Sequence, residues 1–250
     1  MPIVKPHIAN IASDFWKRTG PSKSPPFDIY GAISFTLPVD IVNLSELSLR
    51  KIEVWLRNRN IPLTIGVDDR DIHGFILMSK GCGFIFINGT DPEDERRYSV
   101  AHELSHFILD YKIPRDRAIE KFGIHILEVL DGYREPSLTE RIDSVLKSVV
   151  IQTYTHLLEK KGDGSFESAK VFDAENDADM LALELLAPSS KVIKGTKEGQ
   201  SKPVFSEFRN NCYKLLVEKY GLPSSISEEY ASRIAFSVTG GPSILTKLGF

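Results

Sequence analysis

The sequence predicts an α+β fold, a small sheet of about three strands packed against helices. Three observations predict it. Short apolar runs bounded by Gly or Asn, at 61–67, 74–78 and 83–88, read as strands. Segments with apolar residues at helical spacing flank them in sequence. A chain of 250 residues at 42% hydrophobic, 26% charged and 10% aromatic suits one hydrophobic core, or one and a small appendage. With 17 Gly, 14 Pro and two Cys, the composition excludes collagen, a disordered chain and a disulfide scaffold.

Taken in order, residues 1–37 are rich in proline (Pro2, Pro6, Pro21, Pro25, Pro26), and the Gly-Pro-Ser-Lys-Ser-Pro-Pro run cannot be helix or central strand. The sequence predicts an extended arm packing through Phe15, Trp16 and Phe27. Leu44, Leu47, Ile52, Trp55 and Leu56 then predict a helix capped by Asn43 and ending near Asn60. After the three strand signals, Pro92 at a first helical position, with Asp91 before it and Glu93, Asp94 and Glu95 behind it, starts a helix running to about Leu109. Residues 111–172 read as a helical insertion, with amphipathic helices over 118–130 and 138–158 and a Gly-Asp-Gly-Ser loop at 162–165. A helix over 173–186 follows, stopped by Pro188, then a linker over 191–203. Helices over 205–220 and 225–238 close the chain, the second with Ser225 and Glu228 spaced as a capping box. The domain expectation is an arm at 1–37, a catalytic-type domain at 38–190 and a helical region at 191–250.

Ala101-His102-Glu103-Leu104-Ser105-His106 is an HExxH sequence on the helix begun at Asp91. His102 and His106 stand one turn apart on one helix face, so both imidazoles reach one metal ion. Glu103 projects beside them, where its carboxylate can take a proton from a water that the metal acidifies. Chance yields on the order of 0.01 such matches in a chain of this composition, so helical context decides, and Ala101, Leu104 and Ile108 supply the apolar stripe that buries the helix. Leu109 and Lys112 stand where a metzincin needs Gly and His, which excludes that class. Asp110 would have to reach back a full turn and is a poor third ligand. A better candidate is Glu175, with Asp179 one turn on to accept a hydrogen bond from a ligand imidazole; a solvated acidic helix face is the competing explanation. Glu184 lies on the opposite side of that helix.

The stretch from Arg96 to His106, together with Glu175-Asn176-Asp177-Ala178-Asp179-Met180-Leu181-Ala182-Leu183-Glu184-Leu185-Leu186-Ala187-Pro188, resembles the ImmA/IrrE family of zinc metallopeptidases. Pro38-Val39-Asp40-Ile41 is similar to that family's N-terminal signature. The resemblance implies a zincin-like core, His102, His106 and Glu175 as zinc ligands and Glu103 as general base. It also implies an intracellular protease that cuts a helix-turn-helix repressor in a stress response, and so regulates transcription. Asp179 and Leu181 depart mildly from the family's Asn and Phe. The 69 residues from His106 to Glu175 are long for the family and leave the substrate open.

The formal charge of −3 gives no field for DNA or an anionic membrane, and the last helix opens on Ser225-Ile226-Ser227-Glu228-Glu229, acids that would face phosphate. No direct nucleic-acid binding and no membrane contact are expected. The N-terminus lacks a secretory pattern and no long apolar run occurs, which predicts a cytoplasmic protein. Cys82 and Cys212 have no CxxC spacing and read as buried thiols. Tyr98, Tyr111, Arg97 and His125 are candidates to stabilise an oxyanion. Zinc is the expected cofactor, with manganese an alternative because His and carboxylate accept both. A non-catalytic, metal-stabilised module that binds a regulatory partner, antitoxin- or anti-repressor-like, is the competing function.

Overall fold

A computed structural model describes residues 3–20, 24–61, 71–151, 169–197 and 203–242. It is mixed α+β, mostly helical, with one three-stranded sheet. The chain divides into two compact units, Leu37–Asp91 with His102–Ala178, and Met1–Thr36 with Pro92–Ala101 and Asp179–Phe250.

In the first of these, β1 (Val39–Leu44), β2 (Gly74–Ser79) and β3 (Cys82–Asn88) form a sheet of order β1-β3-β2. β3 is central, parallel to β1 (Ile41 opposite Ile85) and antiparallel to β2 (Phe75 opposite Phe86). Both faces of the β2–β3 ribbon are buried, so the strands read as near-continuous apolar runs. On one face Phe75, Leu77 and Phe86 pack with Leu47, Leu49, Ile52 and Leu56, the last three from α3 (Leu49–Arg57), and Trp55 stands edge-on to Phe84 and Phe86. The other face presents Gly74, Ile76, Met78, Gly83, Ile85 and Ile87. Phe107 lies on it, and a Cβ on Gly83 would meet that ring at 3.0 Å.

The helix α4 (Glu93–His106) passes into a π-helical stretch, Phe107–Lys112, then α5 (Ile113–Phe122), a short 3₁₀ turn and α6 (Leu127–Leu130). Ala118, Ile126, Val129, Leu130 and Val149 make a second small core. Beside it Arg115 and Asp131 form a largely buried ion pair at 2.8 Å, and Gly81 in the β2–β3 turn donates its N–H to the Tyr111 hydroxyl at 2.5 Å. The helix α7 (Leu138–Leu146) is held by a Ser137–Glu140 capping box, yet Leu138, Ile142, Val145 and Leu146 are all exposed.

The second unit contains α1 (Pro6–Thr19), α2 (Ile29–Thr36), most of the C-terminal half of α8 (Ala169–Leu186), α9 (Ser189–Lys197), α10 (Phe205–Glu218) and α11 (Ser224–Thr239). Arg97 is its tie: the buried guanidinium donates to the carbonyls of Phe27, Tyr220 and Gly221, joining three chain segments. Glu184 is buried as well, accepting from Ser189 N at the start of α9 and from the Tyr230 hydroxyl.

Several sequence expectations need correction. The N-terminal segment is not an extended arm, because Pro6 occupies a first-turn position where no N–H is needed, and Ile8, Ala12 and Phe15 bury one face of α1. Asn43 lies in β1, and the helix behind it starts at Ser48, whose hydroxyl accepts from Lys51 N. Residues 189–197, expected largely as linker, form α9, with Val192 and Thr196 buried. The α11 N-cap is Pro223 and no side chain caps it, so the Ser225–Glu228 box does not form. Cys82 is exposed while Cys212 is buried, and both are free. The helix expected over 138–158 ends at Leu146, with Lys147 as C-cap and Ser148 at positive φ. Residues 152–158 of that expected helix, 62–67 of the strand expected over 61–67 and the loop at 162–165 lie outside the described residues. No described helix is long and apolar enough to cross a membrane.

Arg97→Ala removes the donor from three carbonyls, two of the contacts fully buried, and should lower the unfolding free energy by about 3 kcal/mol, measured by urea denaturation. Arg18→Ala, an exposed change in the same unit, should shift it by less than about 0.5 kcal/mol.

Candidate metal centre

The acidic first turn of α4, Glu93, Asp94 and Glu95, favours the positive end of the helix dipole, and buried Val100, Ala101 and Leu104 hold the helix down. This sets the phase of the next turn. Glu103 falls on the sheet side, and its side chain lies against the backbone of β2. A Cβ on Gly74 would stand 2.8 Å from Glu103 Oε1 and 3.1 Å from its Cγ. His102, one position before Glu103, and His106, one turn further on, project to the neighbouring side of the helix.

There they meet Glu175 from α8. His102 Nε2 and His106 Nε2 are 3.2 Å apart, Glu175 Oε1 is 3.6 Å from His106 Nε2, and Glu175 Oε2 is 3.7 Å from His102 Nε2. Three donors bound tetrahedrally at about 2.0 to 2.2 Å would be separated by about 3.3 Å. The observed set, all within 4.8 Å, is close to that spacing, and its chemistry, two imidazole nitrogens and a carboxylate, suits zinc or manganese. His106 is nearly buried, whereas His102 and Glu175 keep some exposure.

Asp110 Oδ2 lies 2.7 Å from His106 Nδ1. Burial alone would lower the His106 pKa, but the Asp110 hydrogen bond and the charges of Glu103, Asp110 and Glu175 outweigh it and raise it to about 9. Asp179, expected beside a ligand imidazole, accepts a hydrogen bond from the Tyr98 hydroxyl at 2.9 Å. Burial, with Asp179 behind it, pushes that phenol far above its ordinary value.

Of the oxyanion candidates, Tyr98 is bonded to Asp179, Tyr111 accepts from Gly81, Arg97 is taken by three carbonyls, and His125 is exposed. Two residues of the site are not picked out by the sequence in their present places. Asp110 was weighed only as a ligand, although its i,i+4 spacing from His106 is the signal for a histidine partner. Gly74 carried no signal beyond opening a strand.

Gly74→Ala should displace Glu103 while leaving the three donors in place. The expected outcome is a metal content equal to wild type by elemental analysis and peptide-cleaving activity lower by about 10²-fold. A second prediction follows from His106. In the folded, metal-free chain its pKa stands above the ordinary 6.5, so protonation stabilises the fold fully below pH 6.5 and that stability is lost as pH rises through about 9. Metal binding must expel this proton. Calorimetric zinc titrations in buffers of differing ionisation enthalpy should show about one proton released per ion near pH 7, falling towards none above pH 9.

Residues 57–126 match a family model, Peptidase M78, described as the IrrE N-terminal-like domain. The match starts at the end of α3 and takes in β2, β3, α4, α5 and the 3₁₀ turn, hence His102, Glu103, His106 and Asp110, and stops short of Glu175 and Asp179. No curated protein and no solved structure matches the chain. Over residues 57–126, then, the chain is similar to the IrrE N-terminal-like domain, in keeping with the ImmA/IrrE resemblance of its HExxH segment.

Proposed function

We propose that the protein is a metal-dependent endopeptidase in which His102, His106 and Glu175 hold the ion and Glu103 is the general base. The observation that carries this is the convergence, at 3.2, 3.6 and 3.7 Å, of Glu175 from α8 with two imidazoles of the helix that also places Glu103. Zinc is the ion the donor set favours, with manganese next. When bound, the ion supplies Lewis acidity, acidifying a water and polarising the scissile carbonyl. Glu103 takes the proton released as the water oxygen bonds to the carbonyl carbon. It then returns that proton to the amide nitrogen as the C–N bond breaks, so the carboxylate ends as it began. The β2 backbone at Gly74 keeps the Glu103 side chain from swinging towards the sheet.

The substrate is a protein, and the ImmA/IrrE resemblance supports a helix-turn-helix repressor whose cleavage in the cytoplasm switches on a stress programme. The exposed apolar residues of α7 suit a chain that docks another protein. That same surface is what favours the second function, a metal-stabilised module that captures a regulatory partner without cutting it. One variant separates the two. Glu103→Gln should keep about one ion per chain and lower cleavage of a co-expressed repressor by about 10²- to 10⁴-fold, with repression restored. If the variant relieves repression as well as wild type while the repressor stays intact, capture is the function.

A further inference from the structure

His106 is engaged at both ring nitrogens. Nε2 faces His102 and Glu175, and Nδ1 faces Asp110 Oδ2 at 2.7 Å, within the charge-assisted range. The two nitrogens of an imidazole point away from each other, so Asp110 cannot ligate an ion held at Nε2. It acts on the ring instead. A carboxylate only accepts, so the proton of the neutral imidazole sits on Nδ1 and the Nε2 lone pair is left facing the other two donors.

The backbone supports this arrangement. Asp110 belongs to the π-helical stretch Phe107–Lys112, where Ile113 N bonds back to Ile108 O rather than to Leu109. Phe107, Ile108 and Tyr111 are buried around it, and Tyr111 is tied to the β2–β3 turn through Gly81, so the position of Asp110 is fixed from both sides. A comparison pair lies close by. Lys112 and Asp116 have the same i,i+4 spacing at 2.6 Å, but Asp116 is largely exposed, whereas the His106 side chain is only 9% exposed. The first is an ordinary surface pair of small energetic weight; the second orients a buried ring.

We propose that Asp110 is a positioning residue for the metal centre. It sets the His106 tautomer, turns Nε2 towards the ion, and with Glu175 brings two negative charges to a divalent cation. This rests on the assignment of His102, His106 and Glu175 as ligands.

Zinc affinity of the metal-free full chain, measured against a chromophoric chelator, tests it without recourse to activity. Asp110→Asn and Asp110→Ala should bind one ion about 10- to 100-fold more weakly than wild type, the alanine variant the weaker. The cobalt(II) d–d absorption of Asp110→Asn should shift, because the ring is no longer fixed. Asp116→Asn should match wild type in both. Wild-type affinity in either folded Asp110 variant, judged by circular dichroism of the metal-free chains, overturns the proposal. If instead wild type takes up no zinc, or Glu175→Ala binds it as tightly as wild type, the ligand assignment itself falls and the proposal with it.

Discussion

The distance between the HExxH segment and the sheet is the constraint on which the site depends. Two glycines set it. Gly74 on β2 and Gly83 on β3 face the same side of the ribbon, under Glu103 and Phe107, which are themselves four residues apart on one helix face. Added Cβ atoms would meet those side chains at 2.8 and 3.0 Å, closer than packed atoms stand. With the 103/107 face seated on the sheet, His102 and His106 necessarily turn about 100° away from it, off the sheet and towards Glu175. One packing choice therefore separates Glu103 from the imidazoles: the carboxylate lies against the strand, and His102 and His106 stand beside it.

Charge gives the site its second organising rule. Glu103, Asp110 and Glu175 surround a nearly buried imidazole, and together they overcome the desolvation that would otherwise keep His106 neutral. Such a concentration of carboxylates is costly in a closed interior unless something positive occupies it. A proton on His106 serves when no ion is present. A divalent cation held by His102, His106 and Glu175 would offset the same charge and engage both imidazoles at once.

Legibility in the sequence followed the range of the interactions. HExxH, the strands at 74–79 and 82–88 and the start of α4 are local patterns and were readable. β1 was missed because its identity depends on parallel pairing with β3 some forty residues away, while Leu44 and Leu47 also fit a helical period. The N-terminal segment was misjudged by composition, since proline breaks a helix interior but suits a first turn, and Pro6 sits there. At the site, Glu175 was legible only through its motif, 69 residues beyond His106. Asp110 was weighed only as a ligand, and its place beside His106 Nδ1 depends on which imidazole nitrogen turns towards α8. Gly74 was beyond reach, because a close approach of two elements leaves no periodicity behind.

Whether such a centre is structural or catalytic turns on how many donors the chain itself provides. A structural zinc is enclosed by four protein ligands, typically with thiolates, and keeps water out. Here the group found among the described residues has three members, none of them a cysteine. The nearby carboxylate that is not counted among those donors, Glu103, lies against a strand at Gly74. A centre meant only to brace two helices has no use for a further carboxylate fixed beside the donors. A site that brings water to a substrate carbonyl does, and this favours the proposed hydrolysis over bracing.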